Sequence, residues 1–418
     1  MTENSTKIKV CIVIGASHAG VNFAFSLRKE GWEGAIILFD KDPTLPYHRP
    51  PLSKAYLTSN DTIEKNALKS LESYEKSNIT LNLGVSVNSI NRSEKNIILG
   101  NGTIQAYDTL VIATGARPII PPIKGIDTAN TMYPLRTAKD VDDIRTAFNK
   151  SIDKRVVVIG GGYIGLETAA SLKKMGGKVT ILEREERVLA RVTAPEMSHF
   201  FQRLHTQNGV DVFTNKNVTG IDTQDGVHTI RCSDDSVYEA DIIIVGVGVH
   251  VNTELATQAA LDIKNGIQVD TTARTNDQDI YAIGDCTFHY NPHYDQFIRL
   301  ESVQNAVDQA KVAAMAICDK NPIYDAIPWF WSDQYDIKLQ MVGLSTGYTD
   351  TLIRKEEGEN TKFSLWYFNG DTLLAVDAVN NAKAYVLGTK FIKENKKIDK
   401  AKLVDPSVPF KPVNLLVD

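Results

Sequence analysis

A strand–turn–helix–strand pattern that occurs twice restricts the fold of this chain more than any other feature. Val10 to Ile14 is a continuous apolar run, the signature of a strand buried on both faces of a parallel sheet. A turn from Gly15 to Gly20 leads into a helical stretch ended by Gly31, and a second apolar run, Ala35 to Phe39, stops at Asp40. The same order returns as Arg155 to Ile159, a turn from Gly160 to Gly165, a helix to about Met175, and Lys178 to Leu182, which stops at Glu183. Turns that begin at residues 15 and 160 are too far apart for a short-period repeat. They indicate two nucleotide-binding domains.

The remainder of the 418 residues leaves room for a third domain. Pro118, Pro121 and Pro122 mark a linker before the second copy of the pattern. Further strands are expected at Asp241 to Val247 and Asp279 to Ile283. A helix is expected from Glu301 to Cys318, with Val303, Val307, Ala310, Ala314 and Ile317 on its apolar face. Beyond Pro322 the character changes: Trp329, Phe330, Trp331 and Trp366 gather among alternating, strand-like stretches, followed by a lysine-rich helix. The fold class is therefore α/β, with two Rossmann-type dinucleotide-binding domains and a smaller C-terminal α+β domain.

Composition excludes several functions. A net charge of −5 gives no bulk attraction to nucleic acid or anionic lipid. The start, MTENSTKIKV, lacks the basic and apolar regions of a leader, and the longest apolar runs, such as Ile242 to Val249, are broken by glycine and too short to span a bilayer. Cys11, Cys232, Cys286 and Cys318 have no short paired spacing, so neither a disulfide framework nor a zinc site is expected, and a reducing cytoplasm fits. His289 and His293 are separated by Pro292 in a polar stretch and read as a loop, so no metal site is expected.

Gly160, Gly162 and Gly165 complete G-x-G-x-x-G between a strand and a helix, where backbone N–H groups and the helix dipole can hold a pyrophosphate. Glu183, at the end of the next strand, can accept both ribose hydroxyls of an adenosine. The first copy is less regular: Gly15 and Gly20 bracket Ser17, and the ribose acid is either Asp40 or Asp42. Asp285, at a strand end, can bond a ligand hydroxyl or simply cap a turn. Val303 opens a helix whose dipole would stabilise negative charge on a ligand, or it only packs.

Three segments, TLVIATGARP at Thr109 to Pro118, YAIGD at Tyr281 to Asp285 and PYHRPPLSK at Pro46 to Lys54, carry a specific resemblance. With RLESVQNAVDQA at Arg299 to Ala310 and PWFWSDQYDIKLQMVGL at Pro328 to Leu344, the chain resembles the FAD-dependent ferredoxin and rubredoxin reductases of the glutathione-reductase fold over essentially its whole length. The resemblance implies an FAD domain split into 1–117 and 247–322, an NAD domain at 118–246 between them, and a reductase domain at 323–418. It implies FAD contacts from Ala19, Lys54, Val87, Arg136, Asp285 and Val303. It adds Arg49, Ala113, Thr114, Gly115, Tyr163, Ile164 and Gly248 as cofactor-binding positions. The family often has an acid where this chain has Lys41.

Lys54 and Glu167 are the main catalytic candidates. Lys54 would sit near flavin N5 and Glu167 near the nicotinamide, with the two forming an ion pair; their plainer roles would be a solvated lysine and a helix-terminal acid. Trp331 would face the flavin or the nicotinamide, or pack in the core. The first helix offers no cysteine pair, so electrons leaving FAD cannot pass through an internal dithiol.

The resemblance thus implies an NADH-dependent reductase of a [2Fe–2S] ferredoxin serving a monooxygenase or dioxygenase, in a chain that is a monomer or weak dimer. Rubredoxin reductase is the alternative carrier reading. A redox-controlled interaction protein like the apoptosis-inducing flavoproteins is the alternative of another class.

Overall fold

The computed structural model describes residues 8–356 and 361–417; residues 1–7, part of the stretch read above for a leader, lie outside them. The elements that position the site are, in chain order, strand β1 (Val10–Ile14), helix α1 (His18–Lys29), strand β2 (Ala35–Asp40), strand β3 (Arg155–Ile159), helix α2 (Tyr163–Lys174), strand β4 (Lys178–Leu182), helix α3 (Pro195–Gln207), helix α4 (Val303–Ile317) and strand β5 (Trp329–Gln334). They are divided between two compact units, one of residues 8–48, 62–117 and 250–328, the other of residues 49–61, 118–249 and 329–417.

In the first unit a five-stranded parallel sheet runs Ile280–Ala282, Thr109–Ile112, β1, β2, Ile79–Leu83. The central strand β1 is buried on both faces, which is why it reads as an unbroken apolar run. One face is covered by α1 and α4, which share a core with Phe23, Ala24 and Leu27 meeting Ala306, Ala310, Ala313 and Ala314. The expected apolar face of α4 is therefore rotated. Ala310 and Ala314 are buried, but Val303, Val307 and Ile317 are only half-buried, because close packing on α1 selects small side chains. The histidine loop is also corrected: His289 lies in strand Thr287–Asn291, fully buried, and its Nδ1 meets the Gln309 side chain at 3.2 Å. No cluster able to hold a metal occurs among the described residues.

The second unit repeats the plan with a parallel sheet ordered Asp211–Phe213, β4, β3, Ile242–Val245, Met132–Pro134. It adds an antiparallel sheet ordered β5, Ile337–Gly343, Thr372–Val379, Phe363–Asn369, Asp350–Lys355, with helix Ala382–Lys393 beside it. Along β5 the side chains alternate. Ser332 and Gln334 are buried, whereas Trp329 and Trp331 pack together with ring centroids 5.6 Å apart, Trp329 also reaching Tyr385. Trp366 is apart from that group, fully buried against Phe391 and Phe410.

Helix α3 is tied to the antiparallel sheet at both ends. At its start Thr193 Oγ1 donates to Asp377 Oδ2 (2.7 Å) and the Ala194 N–H donates to the Tyr367 hydroxyl (3.2 Å). Burial raises the Asp377 carboxyl to about 6. Among the described residues no helix is long and apolar enough to cross a membrane, and all four cysteines are free thiols.

Candidate active site

The two glycine turns are built alike. Gly15 and Gly160 have φ of +104° and +109°, a region that favours glycine, and a Cβ on either would stand 2.3 or 2.4 Å from the carbonyl oxygen of Ala113 or Gly246. A Cβ on Gly20 or Gly165 would stand 1.9 or 2.1 Å from the carbonyl oxygen of Gly15 or Gly160, so the helix can approach the strand only without a side chain there. The middle position differs. Gly162 is the N-cap of α2, and an added Cβ would meet nothing within 4 Å. Ser17 is the N-cap of α1. The serine that makes the first copy irregular stands at the one of the three motif positions where, in the second copy, a side chain would have room.

The same correspondence separates Asp40 from Asp42. Glu183 accepts the Gly161 N–H at 2.5 Å and the Glu185 N–H at 2.8 Å. Asp40 accepts the Ala16 N–H at 2.6 Å and the Asp42 N–H at 2.9 Å. Asp40 thus holds in the first unit the place of Glu183 in the second, whereas Asp42 bonds the Thr44 N–H and the Tyr47 hydroxyl.

The remaining first-unit candidates lie on neighbouring elements. Ala113 and Gly115 flank Thr114, whose hydroxyl donates to the Asn252 carbonyl at 2.7 Å. Ala19 is on α1, Val87 opens strand Val87–Asn91, and Asp285 is half-buried in a 3₁₀ turn, Gly284–Cys286. Val303 is the first residue of α4, whose N-cap Ser302 accepts the Asn305 N–H at 3.1 Å. Two turns shaped to admit a backbone-hugging ligand, each with an acid at the next strand end, fit dinucleotides.

In the second unit Glu167 is 2% exposed on α2, and both of its oxygens are engaged. Lys54 Nζ lies 2.9 Å from Oε1, Ser332 Oγ donates to Oε1 at 2.6 Å, and Ser53 Oγ donates to Oε2 at 2.6 Å. Ser171 Oγ donates to the Ser53 carbonyl at 2.7 Å, fixing the loop that carries Lys54 to the same helix. The ion pair expected of Lys54 and Glu167 is present as geometry, and Ser53 and Ser332 are partners that sequence reasoning missed. Ser53 was adjacent to a chosen residue; Ser332 was hidden between aromatics.

Arg49 Nη1 donates to the Arg136 carbonyl at 2.7 Å, so these two meet in the same unit. Tyr163 opens α2, its ring 5.2 Å from that of Phe330 and its hydroxyl 2.7 Å from Met341 Sδ. Ile164 is exposed beside it, and Gly248 has φ of +109°. Trp331 packs with Trp329, alternate along β5 to Ser332.

Residues 9–310 match the pyridine nucleotide-disulphide oxidoreductase family, and residues 329–414 match the reductase C-terminal family. The chain belongs to the pyridine nucleotide-disulphide oxidoreductases. Relatives of this oxidoreductase include putidaredoxin reductase CamA of Pseudomonas putida, 42% identical over 96% of each chain, and a rubredoxin-NAD(+) reductase of the same organism, 36% identical over 89% of this chain and 96% of the relative. Among solved structures, putidaredoxin reductase in a covalent complex with putidaredoxin matches with a TM-score of 0.92 and 41% identity, over 97% of this chain and 98% of that one. The ferredoxin reductase for the CYP199A2 system from Rhodopseudomonas palustris matches with a TM-score of 0.93 and 35% identity, over 97% and 100%. As a member of this family, the oxidoreductase depends on FAD and a nicotinamide dinucleotide.

Proposed function

We propose that this oxidoreductase takes a hydride from NADH and delivers electrons one at a time to a small iron–sulfur carrier, a [2Fe–2S] ferredoxin of a monooxygenase or dioxygenase system. One observation carries the reading: the buried Glu167, on the helix that follows the second glycine turn, has both oxygens hydrogen-bonded and pairs with Lys54, while α1 holds no cysteine. Bound FAD supplies the acceptance of a hydride and its release as single electrons. The chain's own residues bind and orient: Gly15, Ser17, Ala19, Gly20, Asp40, Thr114, Asp285 and Val303 for FAD, and Gly160, Gly162, Gly165 and Glu183 for NADH. Glu167, held by three donors, orients the nicotinamide. The reading keeps the division into an FAD domain (1–117 and 247–322), an NAD domain (118–246) and a reductase domain (323–418). It places the protein in a reducing cytoplasm, in keeping with four unpaired thiols. The likeness to rubredoxin-NAD(+) reductase supports rubredoxin as the second carrier reading. Cytochrome c reduction with a panel of ferredoxins and rubredoxins tests both; NADH-dependent flavin bleaching with no transfer to any carrier would defeat them.

NADH is preferred to NADPH by at least about tenfold in kcat/KM, about 1.4 kcal/mol. Glu183 is pinned at the end of β4 by two backbone donors, and a 2′-phosphate there would meet its carboxylate. The arginines that could rescue NADPH are occupied. Arg184 pairs with Glu185 at 2.9 Å, and Arg187 donates to the Thr193 and Ala190 carbonyls and Ser198 Oγ. Glu183→Ala narrows the preference. Equal efficiency with NADPH in the unmodified protein would show that another side chain faces the ribose.

The carrier docks in part on lysines of the C-terminal domain. Lys390, Lys393, Lys396 and Lys397 are exposed; Lys396 pairs with Glu394, Lys400 with Asp350 and Lys402 with Asp399. Reversing charge at Lys396 and Lys397 raises the KM for ferredoxin about fivefold at low salt, and salt masks the effect. An unchanged KM at low salt would remove this patch from the docking surface.

A further inference from the structure

We infer that Ser332, Gln334, His205 and Tyr335 form a one-way chain of hydrogen-bond donors that positions the Glu167 carboxylate. The chain crosses the interior of the second unit from β5 to α3. Ser332 Oγ is 2.6 Å from Glu167 Oε1, Gln334 Nε2 is 3.2 Å from Ser332 Oγ, His205 Nε2 is 2.9 Å from Gln334 Oε1, and the Tyr335 hydroxyl is 3.2 Å from His205 Nδ1. Ser332 and His205 are 0% exposed and Gln334 1%.

The direction follows from the chemistry of the groups. An ionised carboxylate only accepts, so Ser332 spends its single proton on Glu167. The second bond to Ser332 must then come from a donor, which fixes the amide of Gln334 with its NH₂ toward the serine and its oxygen toward His205. The amide oxygen of Gln334 only accepts, so His205 carries its proton on Nε2, leaving Nδ1 to accept from Tyr335. Each donor therefore faces the carboxylate, and reversing a link between the buried groups would set two donors or two acceptors against each other.

Two further observations agree. Burial holds the His205 imidazole down to about 4, so it is neutral near pH 7, as a group that donates at one nitrogen and accepts at the other must be. Tyr335, with φ of +56°, stands in the two-residue hairpin turn between Gln334 and Ile337, and its ring meets that of His205 with centroids 5.2 Å apart. None of the four is catalytic. They are positioning residues, and the inference rests on the reading that Glu167 orients the nicotinamide.

The test uses FAD-loaded protein reduced anaerobically by NADH in a stopped-flow instrument at neutral pH. Ser332→Ala is expected to lower the limiting rate about tenfold with little change in the NADH concentration at half-saturation, and Ser332→Thr to restore most of it. Gln334→Glu, which keeps volume but cannot donate to Ser332 when ionised, lowers the limiting rate in the same way.

Independently of activity, ¹⁵N-imidazole NMR of the oxidised protein is expected to show His205 neutral, protonated on Nε2. A proton on Nδ1, or a wild-type rate in Ser332→Ala and Gln334→Glu while Glu167→Gln is slow, would overturn the chain. Wild-type rates in Glu167→Gln would instead overturn the reading of Glu167, and the positioning role with it.

Discussion

Replacing Glu167 by alanine is expected to slow flavin reduction by NADH at least about 100-fold, about 2.7 kcal/mol of barrier, while FAD stays bound. The carboxylate is buried and collects Lys54, Ser53 and Ser332, so its loss leaves three polar groups without their common acceptor and frees the Lys54 side chain. Hydride transfer depends steeply on the approach of donor and acceptor, and a misplacement of about 1 Å costs on the order of 100-fold. Lys54→Ala acts in the same direction, with a smaller effect because Lys54 is partly exposed and the two serines continue to hold Glu167. Stopped-flow reduction measures the rate, and the flavin absorbance of purified protein measures retention. Reduction at wild-type speed in both variants would remove the pair from the mechanism.

The second large effect concerns the third glycine of each turn. Gly20→Ala is expected to yield protein that has lost most of its FAD. Gly165→Ala is expected to yield yellow protein whose NADH affinity falls at least about 30-fold, about 2 kcal/mol, the scale of forced overpacking. The cause is local. The new methyl would lie 1.9 Å from the Gly15 carbonyl oxygen in the first case and 2.1 Å from the Gly160 carbonyl oxygen in the second, so each turn must open where a pyrophosphate is to be held. Ser17→Gly and Gly162→Ser are mild by comparison, since the middle position has space. FAD content by absorbance and NADH binding by titration separate the outcomes. Loss of FAD in Gly165→Ala with retention in Gly20→Ala would reverse the assignment of the two turns.

Local rules were sufficient for the two nucleotide-binding sheets. Strands β1 and β3 are buried on both faces and must be apolar throughout, the turns after them need glycine at positive φ and at close contacts, and Asp40 and Glu183 end the next strands. Each of these constraints acts within a few residues and is written into the order of the chain. The choice between Asp40 and Asp42 was not, because two nearby acids are equivalent until the backbone shows which one reaches the N–H of Ala16.

The apolar face of α4 was misread for a related reason. Periodicity finds large apolar residues, but the partner of α4 is a helix so close that alanines occupy the contact. Along β5 the pattern was incomplete: Trp329 and Trp331 drew attention to one face, while the polar Ser332 and Gln334 on the other are buried against Glu167 and His205. A buried serine is stable only where a partner waits for its hydroxyl, and that partner lies on a helix 165 residues away in the chain. Hydrophobic pattern and turn chemistry are properties of neighbours in sequence. The satisfaction of a buried polar group is a property of neighbours in space, and it came into view only when the strand and the helix were packed together.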